Sequence, residues 1–190
     1  LLKLLSCQAA IAVEHAQALS DLQSRATTDA LTGLDNRATV LSKLEQSLAR
    51  TRRQDQELAV LVLDIDHFKQ VNDTHGHQVG DLVLRQVSAA LSKCKRLNDS
   101  VGRIGGEEFL LVLENTAEEG TRLVAERVRQ QISCLTFPAE AGAFTVTASI
   151  GFAMSPKDGG RASELVKRAD NALYQAKNNG RNQVRGHRDR

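Results

Sequence analysis

The chain has 190 residues, of which 41% are hydrophobic and 25% charged, so it can bury one substantial core and predicts a single domain with an appendage. Its 25 basic and 23 acidic side chains leave a formal net charge of +2, which argues against a dedicated nucleic-acid binder. A small molecule or another protein is the expected partner.

The cysteines and the apolar segments restrict where the protein works. Cys7, Cys94 and Cys134 lie far apart and form no CxxC pair, so neither a disulfide framework nor a zinc knuckle is indicated. No apolar run approaches the roughly 20 residues that span a bilayer, and the leucine-rich start lacks the basic segment and cleavage site of a signal peptide. The sequence therefore predicts a soluble, cytoplasmic protein with no membrane contact from this segment.

Residues 1–26 carry small or apolar side chains at steps of mostly three and four, which predicts a helix with a narrow apolar seam. Such a helix can pack on its own domain or form a parallel coiled coil with a second copy. We favour the coiled coil, and with it a homodimer formed through this helix. The main domain is expected over 27–185, followed by a short tail at 186–190.

Hydrophobic periodicity predicts four helices and four strands in the main domain. In chain order they are a helix over 37–53, a strand over 58–65, a helix over 81–95, two short strands around a turn within 103–113, a helix over 116–133, a strand over 144–154 and a helix over 163–179. Thr116 and Glu119 match a capping box at the start of the third helix. This order predicts an α/β sandwich resembling the ferredoxin-like arrangement, with helices covering a central sheet.

Acidic residues stand at two predicted strand ends. Asp64 and Asp66 end the apolar run 58–65, and Glu107 and Glu108 follow two glycines in the predicted hairpin. If the hairpin pairs beside that strand, Glu107 or Glu108 approaches Asp64 at a sheet edge where ligands often bind. Convergent carboxylates repel unless a cation lies between them, and oxygen ligands suit Mg²⁺. A tight turn with solvated glutamates would explain the hairpin alone; the second acidic cluster favours the metal site.

The polar segment 66–81 offers groups that suit a nucleotide. Lys69 is near enough to Asp64 in sequence to reach a metal-bound phosphate. Asp81 could accept from N1 and N2 of guanine while Asn72 donates to O6, although helix capping by both residues is an equal alternative. His75 and His77 lack clustered soft ligands, so zinc is not favoured.

The last predicted helix ends in cations. Lys177 and Arg181 are four residues apart and would face one way if the helical turn persists, which suits a triphosphate. Basic residues at a helix C-terminus are also favourable for the helix dipole alone. Because no GxxxxGK[ST] motif occurs, the combined pattern indicates a metal-dependent nucleoside triphosphate site without a P-loop.

The stretch Gly-Gly-Glu-Glu-Phe at 105–109 resembles the signature of the GGDEF family of diguanylate cyclases, in its GGEEF variant. Further motifs follow in family order over 29–182, and Ala38 replaces a second Arg that members often carry. These motifs are Asp-Ala-Leu-Thr-Gly-Leu-Asp-Asn-Arg at 29–37, the segment 64–81, Ser-Ile-Gly at 149–151, and Ala-Leu-Tyr at 172–174 with Lys177 and Arg181. The resemblance implies a nucleotidyl-cyclase-like sheet and condensation of two GTP into cyclic di-GMP and two pyrophosphates at a dimer interface.

The resemblance also implies roles for individual residues. Mg²⁺, with Mn²⁺ as an alternative, would be held by Asp64, the Ile65 carbonyl, Glu107 and Glu108. Glu107, Lys69 and Glu108 would be catalytic, with Glu107 helping to deprotonate the attacking 3′-hydroxyl. The implied substrate-binding residues are Asn72, His77, Asp81, Gly105, Gly106, Lys177 and Arg181.

Two regions outside that site carry weaker family patterns. Arg96 and Asp99 have the spacing of the RxxD site at which the product inhibits similar enzymes, with five residues between Asp99 and Gly105. Residues 8–16 resemble the end of a GAF-type sensory domain running into a signalling helix. A receptor of cyclic di-GMP that has lost catalysis is the main alternative; a cyclase with an adenine-containing product or a pure dimerisation module is less favoured.

Overall fold

The computed structural model of the protein describes residues 27–139 and 142–189. Within them the chain forms five helices and seven strands. The helices are α1 (Arg37–Arg53), α2 (Phe68–His75), α3 (His77–Cys94), α4 (Glu118–Ser133) and α5 (Ala162–Asn178). The strands are β1 (Leu58–Ile65), β2 (Ser100–Arg103), β3 (Glu108–Glu114), β4 (Thr136–Phe137), β5 (Phe144–Thr145), β6 (Ala148–Ser155) and β7 (Val184–Gly186). The predicted N-terminal helix lies outside the described residues.

A five-stranded sheet in the order β2-β3-β1-β6-β7 forms the centre of the domain. β1 pairs antiparallel with both β3 and β6, and β7 adds parallel to β6. The order of β2, β3, β1 and β6, with α2–α3 and α4 as crossovers, is the ferredoxin-like arrangement, so the predicted fold class is confirmed. No helix in the described ranges is long and apolar enough to cross a membrane.

Both faces of the sheet are covered, which explains why β1 is apolar at successive positions rather than at alternate ones. Leu61 and Leu63 point to a core formed with α2, α3 and α4, whereas Val60 and Val62 point to a second core formed with α1 and α5. Side chains of β1 therefore alternate between two cores, as the period of two in a strand requires. Asp64 has the parity of Val60 and Val62 and faces α5.

Several local predictions differ from the structure, and one is the first strand of the hairpin, which is Ser100–Arg103 rather than within 103–113. Helix α4 has Ala117 as its N-cap without a side-chain hydrogen bond, and the Thr116 hydroxyl donates instead to the Glu114 carbonyl at 2.9 Å, so the capping box is wrong. The strand predicted over 144–154 is two strands, because the chain leaves β5 before β6 begins. Helix α3 begins at His77 rather than at 81.

Short elements were absent from the prediction. Helix α2 is separated from α3 by Gly76 at φ 82°, and β4 pairs with β5 in a two-stranded ribbon. The Phe144 ring of that ribbon stacks on His75 with centroids 4.3 Å apart. A helix of eight residues and strands of two hold too few apolar positions to show their period, so the contacts that stabilise them are tertiary.

Gly151 permits the close approach of α5 to β6. A Cβ at Gly151 would lie 2.1 Å from both the Ala169 carbonyl oxygen and the Leu173 amide nitrogen. We expect Gly151→Ala to lower the free energy of unfolding by about 3 kcal/mol, because backbone atoms of a helix cannot move aside as a flexible side chain can. Urea unfolding measures the change.

Gly120→Ala is the control for this substitution. A Cβ at Gly120 in α4 would lie 3.2 Å from Thr116 Cγ2, a contact that a small side-chain shift relieves. Its stability should stay within about 1 kcal/mol of the parent, since alanine is also the better helix former. Equal losses in the two variants would contradict the close-approach argument.

Candidate active site

The β2–β3 hairpin and helices α2 and α3 surround a cleft of about 490 Å³. It brings together six of the predicted site residues, which are Lys69, Asn72, His77, Asp81, Gly106 and Glu107. Phe68 and Leu84 supply apolar lining, and Arg103 completes the rim. A cleft with an apolar base and a few converging polar groups is the usual form of a small-molecule site.

Asp64 and Glu107 form the acidic centre beside this cleft. Asp64 is 6% exposed, and one carboxylate oxygen accepts from Lys177 Nζ at 2.8 Å. Burial raises the pKa of Asp64 despite this ion pair. Burial also raises the pKa of Glu107, and the negative charge of Asp64 raises it further. The two carboxylates therefore interact unfavourably as anions, and a cation between them would relieve the repulsion.

The residues present fit a magnesium-type ion. No group of three or more His, Cys, Asp or Glu side chains able to hold a metal occurs in the described ranges, so a centre here would use two carboxylates with other oxygen ligands. The Ile65 amide donates to the Glu107 carbonyl at 3.3 Å, which joins the end of β1 to the hairpin and brings the Ile65 and Glu107 backbones together. Mg²⁺ usually binds few protein ligands and completes its coordination shell with water and phosphate oxygens.

Glu108 lies apart from Glu107. It pairs directly opposite Asp64 in the β1–β3 register, and it lines a different cleft between α1 and α5 together with Arg37 and Lys167. Glu107 lies in the turn just before β3 and lines the cleft of α2 and α3, whereas Glu108 is the first residue of β3 and lies on the α5 side of the sheet with Asp64. The role of Glu108 as a supporting ligand stays a prediction.

Neither hairpin glycine is needed for a left-handed backbone, and only Gly105 lies close to another side chain. Neither occurs among the positive-φ glycines of the described residues. A Cβ at Gly105 would lie 2.4 Å from a Glu108 carboxylate oxygen, whereas a Cβ at Gly106 would meet nothing within 4 Å. Gly106 thus leaves bare backbone open to the cleft, where a ligand can approach closely.

Asn72 and Asp81 do not cap helices. Asn72 lies inside α2, Asp81 is the fifth residue of α3, and Gly76 occupies the N-cap of α3 without a side-chain bond. The capping alternative is therefore wrong. Both side chains line the cleft, and neither has a hydrogen bond to another of the described residues. An amide and a carboxylate are thus both available to a ligand on one wall.

Lys177 and Arg181 are both near Asp64, but not for the predicted reason. Helix α5 ends at Asn178, and Arg181 has φ 60°, so the helical turn does not persist. The charge of Arg181 nevertheless lowers the pKa of Asp64, after the larger effects of burial and of Lys177. The turn that follows α5, rather than a common helix face, places this arginine.

Asp66 holds that turn and was missed as a positioning residue. It is 4% exposed and accepts from the Asn182 amide at 3.0 Å and from the hydroxyls of Thr147 and Ser149, each at 2.7 Å. Its position two residues after Asp64 was the only sequence signal. The carboxylate anchors the turn that carries Arg181 to the end of β1.

Arg103 and Asp29 were also missed, and together they hold the hairpin. The Arg103 guanidinium donates to the Gly105 and Gly106 carbonyls and pairs with Asp29, with a closest contact of 3.1 Å. The Arg37 guanidinium donates to the Ile104 carbonyl at 3.1 Å. The segment 29–37 therefore supports the backbone that precedes Glu107. An arginine two residues before the Gly-Gly pair was the available signal.

Arg96 and Asp99 lie away from the cleft, in the turn between α3 and β2. Asp99 is buried and accepts from the Arg96 backbone amide at 2.8 Å, whereas the Arg96 side chain is exposed and Leu97 between them is 97% exposed. The structure separates this exposed turn from the predicted catalytic residues, because it lies at the opposite end of β2 from the hairpin.

Comparisons with known proteins agree with this geometry. Residues 26–183 match the family model described as diguanylate cyclase, GGDEF domain. The chain is 42% identical to diguanylate cyclase DgcP of Pseudomonas aeruginosa over 87% of this chain and 25% of the relative. It is 34% identical to cyclic di-GMP phosphodiesterase PdeR of Escherichia coli over 94% of this chain and 27% of the relative. The chain thus spans about a quarter of the length of these relatives.

A solved structure matches over nearly the whole length. The coiled coil and GGDEF domain of DgcB from Caulobacter crescentus, in complex with c-di-GMP, aligns with a TM-score of 0.86 and 31% identity, covering 96% of each chain. The family model covers well over half of the sequence, including both acidic strand ends and the turn after α5. The chain belongs to the GGDEF domain family of diguanylate cyclases.

Proposed function

We propose that this protein is a diguanylate cyclase that condenses two GTP molecules into cyclic di-GMP and two pyrophosphates. The observation that carries the proposal is the cleft itself. One wall carries Asn72 and Asp81, free to bind a base, and the hairpin rim carries Glu107 beside the buried Asp64. A guanine on that wall would lay its triphosphate toward the carboxylate pair.

Phosphoryl transfer depends mainly on positioning and charge stabilisation. Mg²⁺, or Mn²⁺, held by Asp64, the Ile65 carbonyl and Glu107 would stabilise charge on the reacting phosphate and lower the pKa of the attacking hydroxyl. Lys69, Lys177 and Arg181 neutralise the remaining phosphate charge. The backbone at Gly106 lies against the phosphates, and Glu107 accepts the 3′-hydroxyl proton.

One cleft holds one GTP, so the reaction needs two domains facing each other. We place the dimerising function in residues 1–26, for which the sequence predicts a helix and which lie outside the described residues. The geometry of that dimer would then control the rate, because two reactants gain most from being held in the correct orientation. GTP is a cytoplasmic substrate, and we place the reaction there.

The function is tested by incubating the chain with GTP and Mg²⁺ at several protein concentrations and separating the nucleotides by chromatography. Cyclic di-GMP formation that rises faster than linearly with protein supports a dimer-dependent cyclase. Absence of product at every concentration, even when the N-terminal helix is fused to a strong parallel dimer, contradicts it. In that case a catalytically inactive receptor of cyclic di-GMP becomes the better proposal.

Feedback inhibition through Arg96 is a separate prediction. We expect Arg96→Ala to raise the cyclic di-GMP concentration that halves the rate by at least about 10-fold, because a charge-assisted bond to product phosphate is lost. The Asp99 bond to the backbone amide at residue 96 survives the substitution, so the turn should keep its shape. The measurement is the initial rate against added product.

The neighbouring exposed cation provides the control for Arg96. Lys95→Ala also removes one positive charge from this turn, and it should leave inhibition within about twofold of the parent. Unchanged inhibition in Arg96→Ala, or equal loss in both variants, would show that the RxxD assignment is wrong.

A further inference from the structure

Gly80 lies in the first turns of α3, directly before Asp81, and it is buried. A Cβ built on Gly80 would lie 1.9 Å from Asn72 Oδ1 and 3.0 Å from Asn72 Cγ. The first distance is far inside van der Waals contact. The side-chain amide of Asn72 therefore occupies the space in which any other residue at position 80 would begin its side chain.

Conformational freedom is not the reason for this glycine. Gly80 has no positive φ, and its amide donates to the Gly76 carbonyl at 3.2 Å as part of the helix. A glycine inside a helix is unfavourable relative to alanine, so this position gives up helix stability. The space taken by Asn72, with Phe68 Cζ 3.3 Å from the same point, is what the glycine provides.

Packing alone holds the Asn72 amide in place. The side chain has no hydrogen bond to another residue in the part of the chain that the structure describes. It lines the cleft with His77 and Asp81 of α3. Without the space above Gly80, the amide would have to turn away from the wall that Asp81 shares.

We propose that Gly80 is a positioning residue for nucleotide specificity, because it lets the Asn72 amide lie beside Asp81 so that the two read one guanine edge together. This inference rests on the proposed function and names the determinant of its base recognition. Asp81 accepts from N1 and N2, and Asn72 donates to O6 only while residue 80 lacks a Cβ. A purely structural role would instead be to let α2 and α3 pack closely.

Calorimetric titration of the full chain with α,β-methylene-GTP in Mg²⁺ separates these roles without requiring turnover. Gly80→Ala and Asn72→Ala should each weaken binding about 10-fold, the size expected when one polar contact to a base is lost. The double variant should also be about 10-fold weaker rather than about 100-fold, since removing the amide makes room for the new methyl group. Gly120→Ala, a helix glycine in α4, should bind like the parent.

The corresponding inosine nucleotide, which lacks the 2-amino group that Asp81 would accept from, adds a second readout. Its loss of affinity relative to the guanosine analogue should be the same in Gly80→Ala as in the parent, because the Asp81 contact is retained. The inference is overturned, while the proposed function stands, if the double variant loses affinity by the product of the two single losses. It is also overturned if Gly80→Ala binds the analogue as tightly as the parent. If the parent binds no guanosine analogue, both fall.

Folding is followed by circular dichroism and thermal melting of each variant. If Gly80→Ala fails to fold while the double variant folds, the collision with Asn72 is confirmed as the cause. If both fail to fold, the glycine serves helix packing and the inference is wrong.

Discussion

Glu107→Gln is expected to lower the initial rate of cyclic di-GMP formation by at least about 1,000-fold at saturating GTP. Glutamine keeps the size of the side chain but cannot accept the hydroxyl proton, and it neutralises one of the two carboxylates proposed to hold the metal. Binding of GTP should fall much less than the rate, because Asn72 and Asp81 are unchanged. Chromatographic product analysis and calorimetric titration measure the two effects separately.

The control for this substitution is Glu119→Gln. Glu119 is exposed in the first turn of α4 and lines none of the described clefts near the carboxylate pair, so the rate should stay within about twofold of the parent. A Glu107→Gln enzyme with more than about a tenth of the parent rate would mean that another group supplies the base and the metal ligand.

The same carboxylate sets a pH dependence. The pKa of Glu107 lies above its ordinary value of 4.5, first because of burial and then because of the Asp64 charge. Metal binding needs the ionised form, so the rate at subsaturating Mg²⁺ should fall as the pH drops through this raised pKa. At higher pH, where Glu107 is already ionised, its titration should no longer change the rate, and adding more Mg²⁺ should partly reverse the loss at low pH. If extra Mg²⁺ does not shift the pH at which the rate falls, this assignment is wrong.

Asp64→Asn is expected to abolish activity and at the same time to stabilise the fold. The buried Asp64 carboxylate has a raised pKa even with Lys177 at 2.8 Å, which means that its ionised form is less favourable in the folded chain than in the unfolded one. Asparagine removes that charge while keeping the shape. We expect a gain of about 1 kcal/mol in the free energy of unfolding, typical of substitutions that relieve a functional compromise.

The direction in which stability changes with pH follows from the raised pKa of Asp64. The parent loses stability as the pH rises from the ordinary value of 3.8 through the raised pKa of Asp64, because the folded state then releases its proton at a cost. The gain in free energy of unfolding from Asp64→Asn should therefore be largest at neutral pH and smaller in acidic buffer. Urea unfolding at the two pH values measures it.

Lys177→Met provides the opposite test of the same pair. It removes the cation that lowers the pKa of Asp64 and leaves a buried carboxylate without its partner, so this variant should be less stable than the parent at neutral pH. If Asp64→Asn destabilises the fold as much as Lys177→Met does, the ion pair is a net stabilising contact and the argument from burial is wrong.

Much of the fold was predictable because long elements repeat a local pattern. Helix α1 and strand β1 have the predicted bounds, and α5 differs by one residue at each end. The helix break at Gly76, the two-residue strands and β7 were not predictable, since they depend on partners distant in the chain. The capping box failed because Ala117, and not Thr116, is the N-cap of α4, and the Thr116 hydroxyl donates to the Glu114 carbonyl.

The candidate site, like the fold, was predictable only in part from the sequence. Residue types alone identified Asp64, Glu107, Asn72 and Asp81, because carboxylates, amides and bare backbone each have a limited set of ligands. The structure was needed to exclude helix capping as the role of Asn72 and Asp81. It also showed that Glu107 and Glu108 enter different clefts, because Glu107 belongs to the turn of the hairpin and Glu108 begins β3.

The sequence by itself determined the family, the order of the long elements and the chemical types at the site, because these depend on local periodicity and on which atoms each side chain carries. Only the tertiary structure decided which groups meet. Arg103 reaches Asp29 across 74 positions and Asp66 holds Asn182 across 116. Contacts over such separations are set by strand register and helix packing, which depend on the whole core and which no local window of sequence contains.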